Sequence, residues 1–458
     1  MNPKTYILRL ALAAIVLAVI PTIASAQTED AFTAVKRMGA GWNLGNTLDA
    51  NSGDTTNMWI EHWTDRTPAD YETSWGQPVA TRELIHMFHE AGFNAIRVPV
   101  TWYPHLGAKF NFSTWQNSIW SPSNDYQGVT MDAAWMKRVH EVVDYVIDEG
   151  MYCILNVHHD TGASSTAWLV ADEKHYAANR ERFETLWRCI ASEFKDYDSH
   201  LLFEGYNEML DDYDSWCFAS FATPAKYNAS VATSAYKAIN SYAQSFVNAV
   251  RSTGGNNVDR NLIVSTYGAC SGSGTWNEHL KDPLKQLAMP EDVTNGHIIF
   301  EIHTYPNISN LNNAKKEVDD MISALKKYLV AKGAPVIIGE WGTSNVDNGS
   351  DYVSHRADLI EFARYFSTVA TQAGMGTFYW MGLSDTDDRA VPQWTQPEIK
   401  DAIIKGWIDG GGNSAIILPE SDAGSHPKGA VYDLSGRPES APNKGIVIAD
   451  GRKRLVLP

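Results

Sequence analysis

Eight short apolar runs, separated by stretches of helical periodicity, constrain this chain more than any other feature. The runs cover residues 38–45, 94–100, 151–158, 201–207, 262–267, 297–303, 335–340 and 376–381. Amphipathic stretches lie among them at 78–91, 132–149, 176–194, 229–251, 313–331 and 353–372. Strands buried on both faces read as continuous apolar runs because helices cover them. Eight such units in succession predict an α/β fold, a (β/α)8 TIM barrel with insertions. An open doubly wound sheet would want a glycine-rich nucleotide turn after an early strand. The first run instead carries "GWNLGNT", and no phosphate-loop pattern appears elsewhere.

In a parallel barrel the functional groups gather at the C-terminal ends of the strands. "LLFEGYNEML" (201–210) starts as an apolar strand and reaches Asn207 and Glu208; "PVIIGEWG" (335–342) does the same with Glu340. The second strand carries Arg97, and the third ends on Asn156, His158 and His159. His303 and Tyr305 follow from the sixth strand and Trp380 from the eighth. A glutamate here is costly to desolvate unless it has partners or work. Two glutamates across a barrel mouth suit glycoside hydrolysis, one protonating the leaving oxygen and the other attacking the anomeric carbon. Arg97 and Tyr305 would then hold Glu340 ionised. Asn207 would bind a sugar 2-hydroxyl, His158 and His303 would orient the constellation, and Trp380 would offer a flat face to a pyranose.

Blander readings stand beside each of these. A strand-end glutamate often serves only a salt bridge, Arg97 can pair a structural acid, and a lone His158 is often a satisfied core histidine. His158–His159–Asp160 raises a sharper rival, a metal hydrolase. Adjacent histidines on an extended chain point in opposite directions, so neither a metal nor another cofactor is expected.

The motifs resemble glycoside hydrolase family 5, the cellulase family of retaining (β/α)8 glycosidases. The matching stretches are "GWNLGNTLDA", "WGQP", "GFNAIRVPVTW", "LNVHHD", "FEGYNE", "EIHTYP", "GEWG" and "FYWMG", in that order over about residues 33–408. The resemblance implies Glu208 as acid/base and Glu340 as nucleophile. It implies Arg97, His158, Asn207, His303, Tyr305 and Trp380 as substrate-binding and catalytic support. The opening motif is most similar to bacterial endo-β-1,4-glucanases of the family. Xyloglucanase, mixed-linkage β-glucanase and β-mannanase remain alternatives, since "NEML" replaces the commoner "NEP". A non-catalytic glycan-binding barrel is the rival from another class, though a pure binder has no need of both glutamates.

The ends of the chain read separately. Lys4 and Arg9, the apolar run 10–20 and "ASA" (24–26) predict a cleaved signal peptide over residues 1–26. The expected product is secreted or held at the cell surface, with a catalytic domain over 27–408. No later run is long enough to cross a membrane. Residues 409–458 predict a linker and a small β-type tail, with Asp450–Gly451 as a hairpin signal between "GIVI" and "RLVL". The tail resembles the C-terminal sorting segments of exported proteins of the Bacteroidetes. Fifty-four acidic against 37 basic residues give a net charge of −17. That disfavours nucleic acid or anionic membrane as partner and suits a neutral β-glucan polysaccharide. A monomer is expected.

The loops at 51–74 and 103–130 carry Trp59, Trp63, Tyr71, Trp115, Trp120 and Tyr126, read either as sugar platforms or as local packing. Of the cysteines, Cys153 and Cys189 read as buried thiols. Cys217 and Cys270 lie in predicted loops and are able to pair in an oxidising compartment, with four unpaired cysteines as the default.

Overall fold

The computed structural model describes residues 29–51, 60, 64–106, 131–162, 167–213, 229–272, 283–345 and 349–412, with three further strands in the tail. Eight parallel strands close into a barrel in sequential order. They are β1 (Ala40–Asn43), β2 (Ala95–Val98), β3 (Tyr152–Asn156), β4 (Leu201–Glu204), β5 (Leu262–Cys270), β6 (Ile298–Thr304), β7 (Val336–Trp341) and β8 (Gly376–Tyr379). All eight are buried along their whole length. This is why their sequences lack alternation. The predicted (β/α)8 barrel is the fold found.

The outward side chains of the strands pack on a ring of helices. Trp341, for example, stacks on Phe366 at 4.2 Å, and Trp187 donates from Nε1 to Gly205 O. Side-chain oxygens start several of these helices by taking an otherwise unpartnered backbone N–H, as Asp132, Asp172 and Asn310 do.

The barrel interior is layered, because alternate residues of each strand point inward. Ala95, Ile154, Leu202, Ile263, Ile299, Ile337 and Phe378 form an apolar floor. A short helix, Ala31–Met38, closes it from below with Ala31, Ala34, Val35 and Met38. The sequence pattern had not singled out this helix. Two residues further along β2, β4 and β6 the inward positions are Arg97, Glu204 and Glu301, all fully buried. Apolar floor and polar storey thus follow from one period-two pattern.

Strict alternation from Ile337 would turn Glu340 outward. It does not, because one extra residue enters β7: Ile302 pairs with Ile338, but His303 pairs with Glu340. A bulge of this kind re-aims a side chain. Gly339 sits at the step, where an added Cβ would lie 1.6 Å from Glu301 Oε1.

Cys153 is buried and Cys189 partly so, both as free thiols. Cys270, at the end of β5 and not in a loop, is disulfide-bonded. The expectation of four unpaired cysteines is therefore corrected; Cys217 lies outside the described residues. So do the predicted signal peptide, Trp59, Trp63, Trp115, Trp120 and Tyr126. Tyr71 is buried edge-on against His105 and Trp135, which is the packing alternative. No helix among the described residues is long and apolar enough to cross a membrane.

The chain divides into two compact units, Met1–Asn413 and Ser414–Pro458. The second holds an antiparallel sheet of β9 (Val431–Tyr432), β10 (Gly445–Ala449) and β11 (Arg452–Val456). Ala449 pairs with Arg452, so two residues separate these strands, as the hairpin signal requires.

A chain ending at Asn413 is expected to fold and to keep its turnover within roughly a few-fold, because every barrel strand lies upstream. Thermal unfolding and a rate measurement on full-length and truncated protein check this.

Candidate active site

The site is built on Arg97. Its guanidinium is wholly buried and every polar direction is used. Nε and Nη2 donate to Glu204 Oε2 and Oε1 at 2.6 and 2.7 Å. Nη2 also donates to Asn207 Oδ1 at 2.7 Å, and Nη1 to Asn43 Oδ1 at 2.9 Å and Glu340 Oε1 at 2.8 Å. Glu301 Oε1 lies 3.5 Å from Nε. Burial opposes the charge, but these carboxylates more than offset it and hold Arg97 firmly protonated. Asn43 is itself held by its Nδ2, which donates to Gly339 O at 2.9 Å. Burial also opposes the Glu301 charge, yet Arg97 and His303 keep that carboxyl below its ordinary range.

Glu208 and Glu340 stand at the mouth above this cluster. Oxygens of the two carboxylates and a ring nitrogen of His303 lie within 4.8 Å of one another. Glu340 has both oxygens committed, Oε1 to Arg97 and Oε2 to the Tyr305 hydroxyl at 2.7 Å. Glu208 lacks a cation of that kind and faces His303 Nδ1 at 2.7 Å. Burial, reinforced by the Glu340 charge and only partly opposed by His303, raises Glu208 to about 7. Burial works against a charged His303, but Glu340, Glu208 and Glu301 together outweigh it and lift the ring to about 10. The arrangement therefore binds one carboxylate to a buried cation and gives its neighbour a proton to lose near neutrality. That difference is what acid-assisted displacement requires.

Asn156 sets the state of His158. Its Oδ1 accepts from Val100 N at 3.0 Å, and its Nδ2 donates to Glu204 Oε1 at 2.9 Å. The remaining Nδ2 hydrogen meets His158 Nδ1 at 2.9 Å, so Nδ1 accepts and the proton sits on Nε2. Burial, with nearby cations, keeps the ring neutral. Its Nε2 lies 3.9 Å from Glu340 Oε1. The Trp380 ring runs parallel to it, 5.8 Å away.

β3 ends at Asn156, so His158 and His159 do not sit on extended chain and do not point in opposite directions. Their rings meet edge to face at 4.5 Å, and nitrogens of both approach Asp49. That expectation is corrected. The metal reading still meets a chemical obstacle, since Asn156 occupies His158 Nδ1 and leaves Nε2 carrying the ring proton.

The eight residues singled out from the sequence thus converge on one rim. Arg97, Asn207, His303, Tyr305 and Glu340 are linked to each other or to Glu208 by the bonds above, and His158 and Trp380 flank them. Arg97 also pairs structural acids, so the bland reading of that residue holds alongside the functional one. Sequence reading missed Asn43, Glu204 and Glu301. The signal was present, because "LLFE" and "HIIFEIH" each place a carboxylate inside an apolar run.

A carboxylate that loses its proton near neutrality beside one bound to a buried arginine, in the mouth of a (β/α)8 barrel, is the site of a glycosidase. Residues 56–384 match the family described as Cellulase (glycosyl hydrolase family 5), and the chain belongs to that family. It is 31% identical over 407 residues to Endoglucanase A of Clostridium longisporum, across 84% of this chain and 67% of that one. A GH5-4 broad specificity endoglucanase from an uncultured bacterium superposes with a TM-score of 0.73 at 50% identity. That match covers 83% of this chain and 96% of the other. PbGH5A from Prevotella bryantii, solved as a mutant with a xyloglucan tetradecasaccharide, gives 0.67 at 37% identity over 83% and 99%. The protein is a glycoside hydrolase.

Replacing Arg97 by Met leaves Glu204, Glu301 and Glu340 buried without their shared cation. A loss of about 3–5 kcal/mol is expected, read from denaturant unfolding of Arg97→Met against wild type.

Proposed function

We propose that this chain is an exported, retaining endo-β-1,4-glucanase, with Glu208 as acid/base and Glu340 as nucleophile. The observation that carries the reading is the close approach of the two carboxylates, within 4.8 Å between oxygens. This suits direct attack and favours the short carboxyl separation of retaining enzymes over the wider one of inverting enzymes. In the first step protonated Glu208 gives its proton to the glycosidic oxygen. Glu340 attacks the anomeric carbon, the bond to the departing chain breaks, and a glycosyl ester forms. The Glu340 charge is then gone, and with it one cause of the raised Glu208 pKa. Glu208 thereby stays ionised near neutrality and is available as base when water arrives. It takes a proton from that water, whose oxygen attacks the anomeric carbon and frees Glu340.

The supporting residues follow from their bonds. Arg97 takes Asn207 Oδ1, so the Asn207 amide N–H is the group left for a sugar 2-hydroxyl. His158 serves as a neutral Nε2–H donor, and Trp380 as a flat face beside it. Relatives named endoglucanase support endo action on β-1,4-glucan. The xyloglucan complex of PbGH5A favours a second reading, in which branched glucan is also a substrate. Reducing-sugar release from carboxymethylcellulose, xyloglucan, barley β-glucan and mannan separates these. The N-terminal charge and apolar pattern supports export, and fractionation of the native culture tests it.

Glu340→Ala should abolish labelling by a mechanism-based fluorosugar, whereas Glu208→Ala should slow glucan hydrolysis by orders of magnitude yet spare the first step of activated aryl glycosides. Equal damage to both substrates in Glu208→Ala would overturn the assignment. Glu208 is protonated below its pKa, so kcat/KM on glucan should fall about tenfold per pH unit above roughly pH 7. The limb should fade with good leaving groups. Dialysis against a chelator should leave the rate unchanged.

A further inference from the structure

We propose that Glu301 is a positioning residue for the reaction: seated against Nε2 of His303, it makes the ring a doubly protonated imidazolium that presents Nδ1–H to Glu208. The inference rests on the acid/base reading of Glu208.

Nδ1 of His303 faces Glu208 Oε1 at 2.7 Å and Glu340 Oε2 at 3.5 Å. A neutral ring with its proton on Nδ1 would satisfy both. A second proton needs an acceptor on the opposite side, and Glu301 Oε1 stands 3.5 Å from Nε2. Oε1 makes no hydrogen bond there, so its contact with Nε2 is an electrostatic one, shared with Arg97 Nε at 3.5 Å. The Glu301 carboxylate is held in place rather than free to swing. Ser265 Oγ donates to Oε2 at 2.7 Å, and Gly339 leaves the space that Oε1 fills. Arg97 from β2 and His158 from β3 also lie near the ring. Arg97 already has its N–H groups taken by carboxylate and amide oxygens, and His158 is neutral. Glu208 and Glu340 thus favour the charged ring from the Nδ1 side, and Glu301 completes the arrangement from the Nε2 side. An imidazolium there steadies the ionised form of Glu208 and limits the rise that burial causes. Glu208 then remains able to act as base after acting as acid.

The test is nitrogen-15 NMR of the His303 ring, assigned by difference with a His303→Asn sample. In wild type both ring nitrogens should carry protons from about pH 5 to 8. In Glu301→Gln the ring should titrate within that window, and kcat on soluble glucan should fall about tenfold or more while kcat/KM changes less, because the base step follows the glycosyl ester. Ser265→Ala, which frees one carboxylate oxygen, should move both readouts in the same direction but less. A neutral His303 in wild type at pH 7 overturns the inference even if no variant folds. So does a Glu301→Gln ring that stays doubly protonated while activity is lost, since Glu301 would then be merely structural. If the acid/base reading itself is wrong, Glu208→Ala damages glucan and aryl glycoside alike while the His303 ring still responds to Glu301→Gln.

Discussion

One guanidinium, deep in a barrel, holds the rest of this site in place. Arg97 receives Glu204 on one edge and Glu340 on another, with Glu301 beside them. Taking such charges out of water costs several kcal/mol each, and apolar residues of the same volume are often no less stable. The cluster is therefore weak evidence for stability. Its chemical consequence is clearer: Arg97 joins the floor of the mouth to an oxygen of Glu340, so whatever anchors Arg97 also orients that carboxylate. Asn43 extends the linkage, because it accepts from Arg97 and donates to the carbonyl of Gly339, the residue before Glu340.

The barrel was legible because its strands are buried on both faces, and eight apolar runs in order leave few alternatives. Glu208 and Glu340 were legible because each ends such a run. Glu204 and Glu301 were harder, since they sit inside their runs where period-two alternation carries no signal. Only the cost of burying a charge marks them, and their partner Arg97 is more than a hundred residues from Glu204 in sequence. The inward turn of Glu340 was not legible at all. It depends on one extra residue in β7 relative to β6, a property of the pairing and not of either strand alone. The short helix under the barrel was missed because eight residues display too little periodicity beside the long helices.

Histidine placement shows how far local reasoning reaches. The opposite-direction argument for His158 and His159 assumed extended chain, and the strand had ended two residues earlier. What decides the chemistry of His158 is a hydrogen-bond sequence no motif records: a backbone N–H orients Asn156, and Asn156 orients the proton of His158. The two histidines of the site end in different states for this reason. His158 faces an amide donor and stays neutral, while His303 lies between carboxylates and is charged.

The sum of these charges matters for the proposed reaction. Arg97 is matched by Glu204, and His303 by Glu301, so each buried cation has an anion within the protein. With Glu208 protonated, Glu340 carries the charge left over. The transition state for glycoside cleavage gathers positive charge on the sugar ring. A site with one uncompensated anion, held by Arg97 and Tyr305 before substrate arrives, stabilises that charge without reorganising. Adding a second free anion would raise Glu208 further and withhold its proton. Removing the first would leave the developing cation without its partner. The pairing of Glu204 and Glu301 with their own cations is what allows four carboxylates to share one barrel mouth while only Glu340 presents net charge to the substrate.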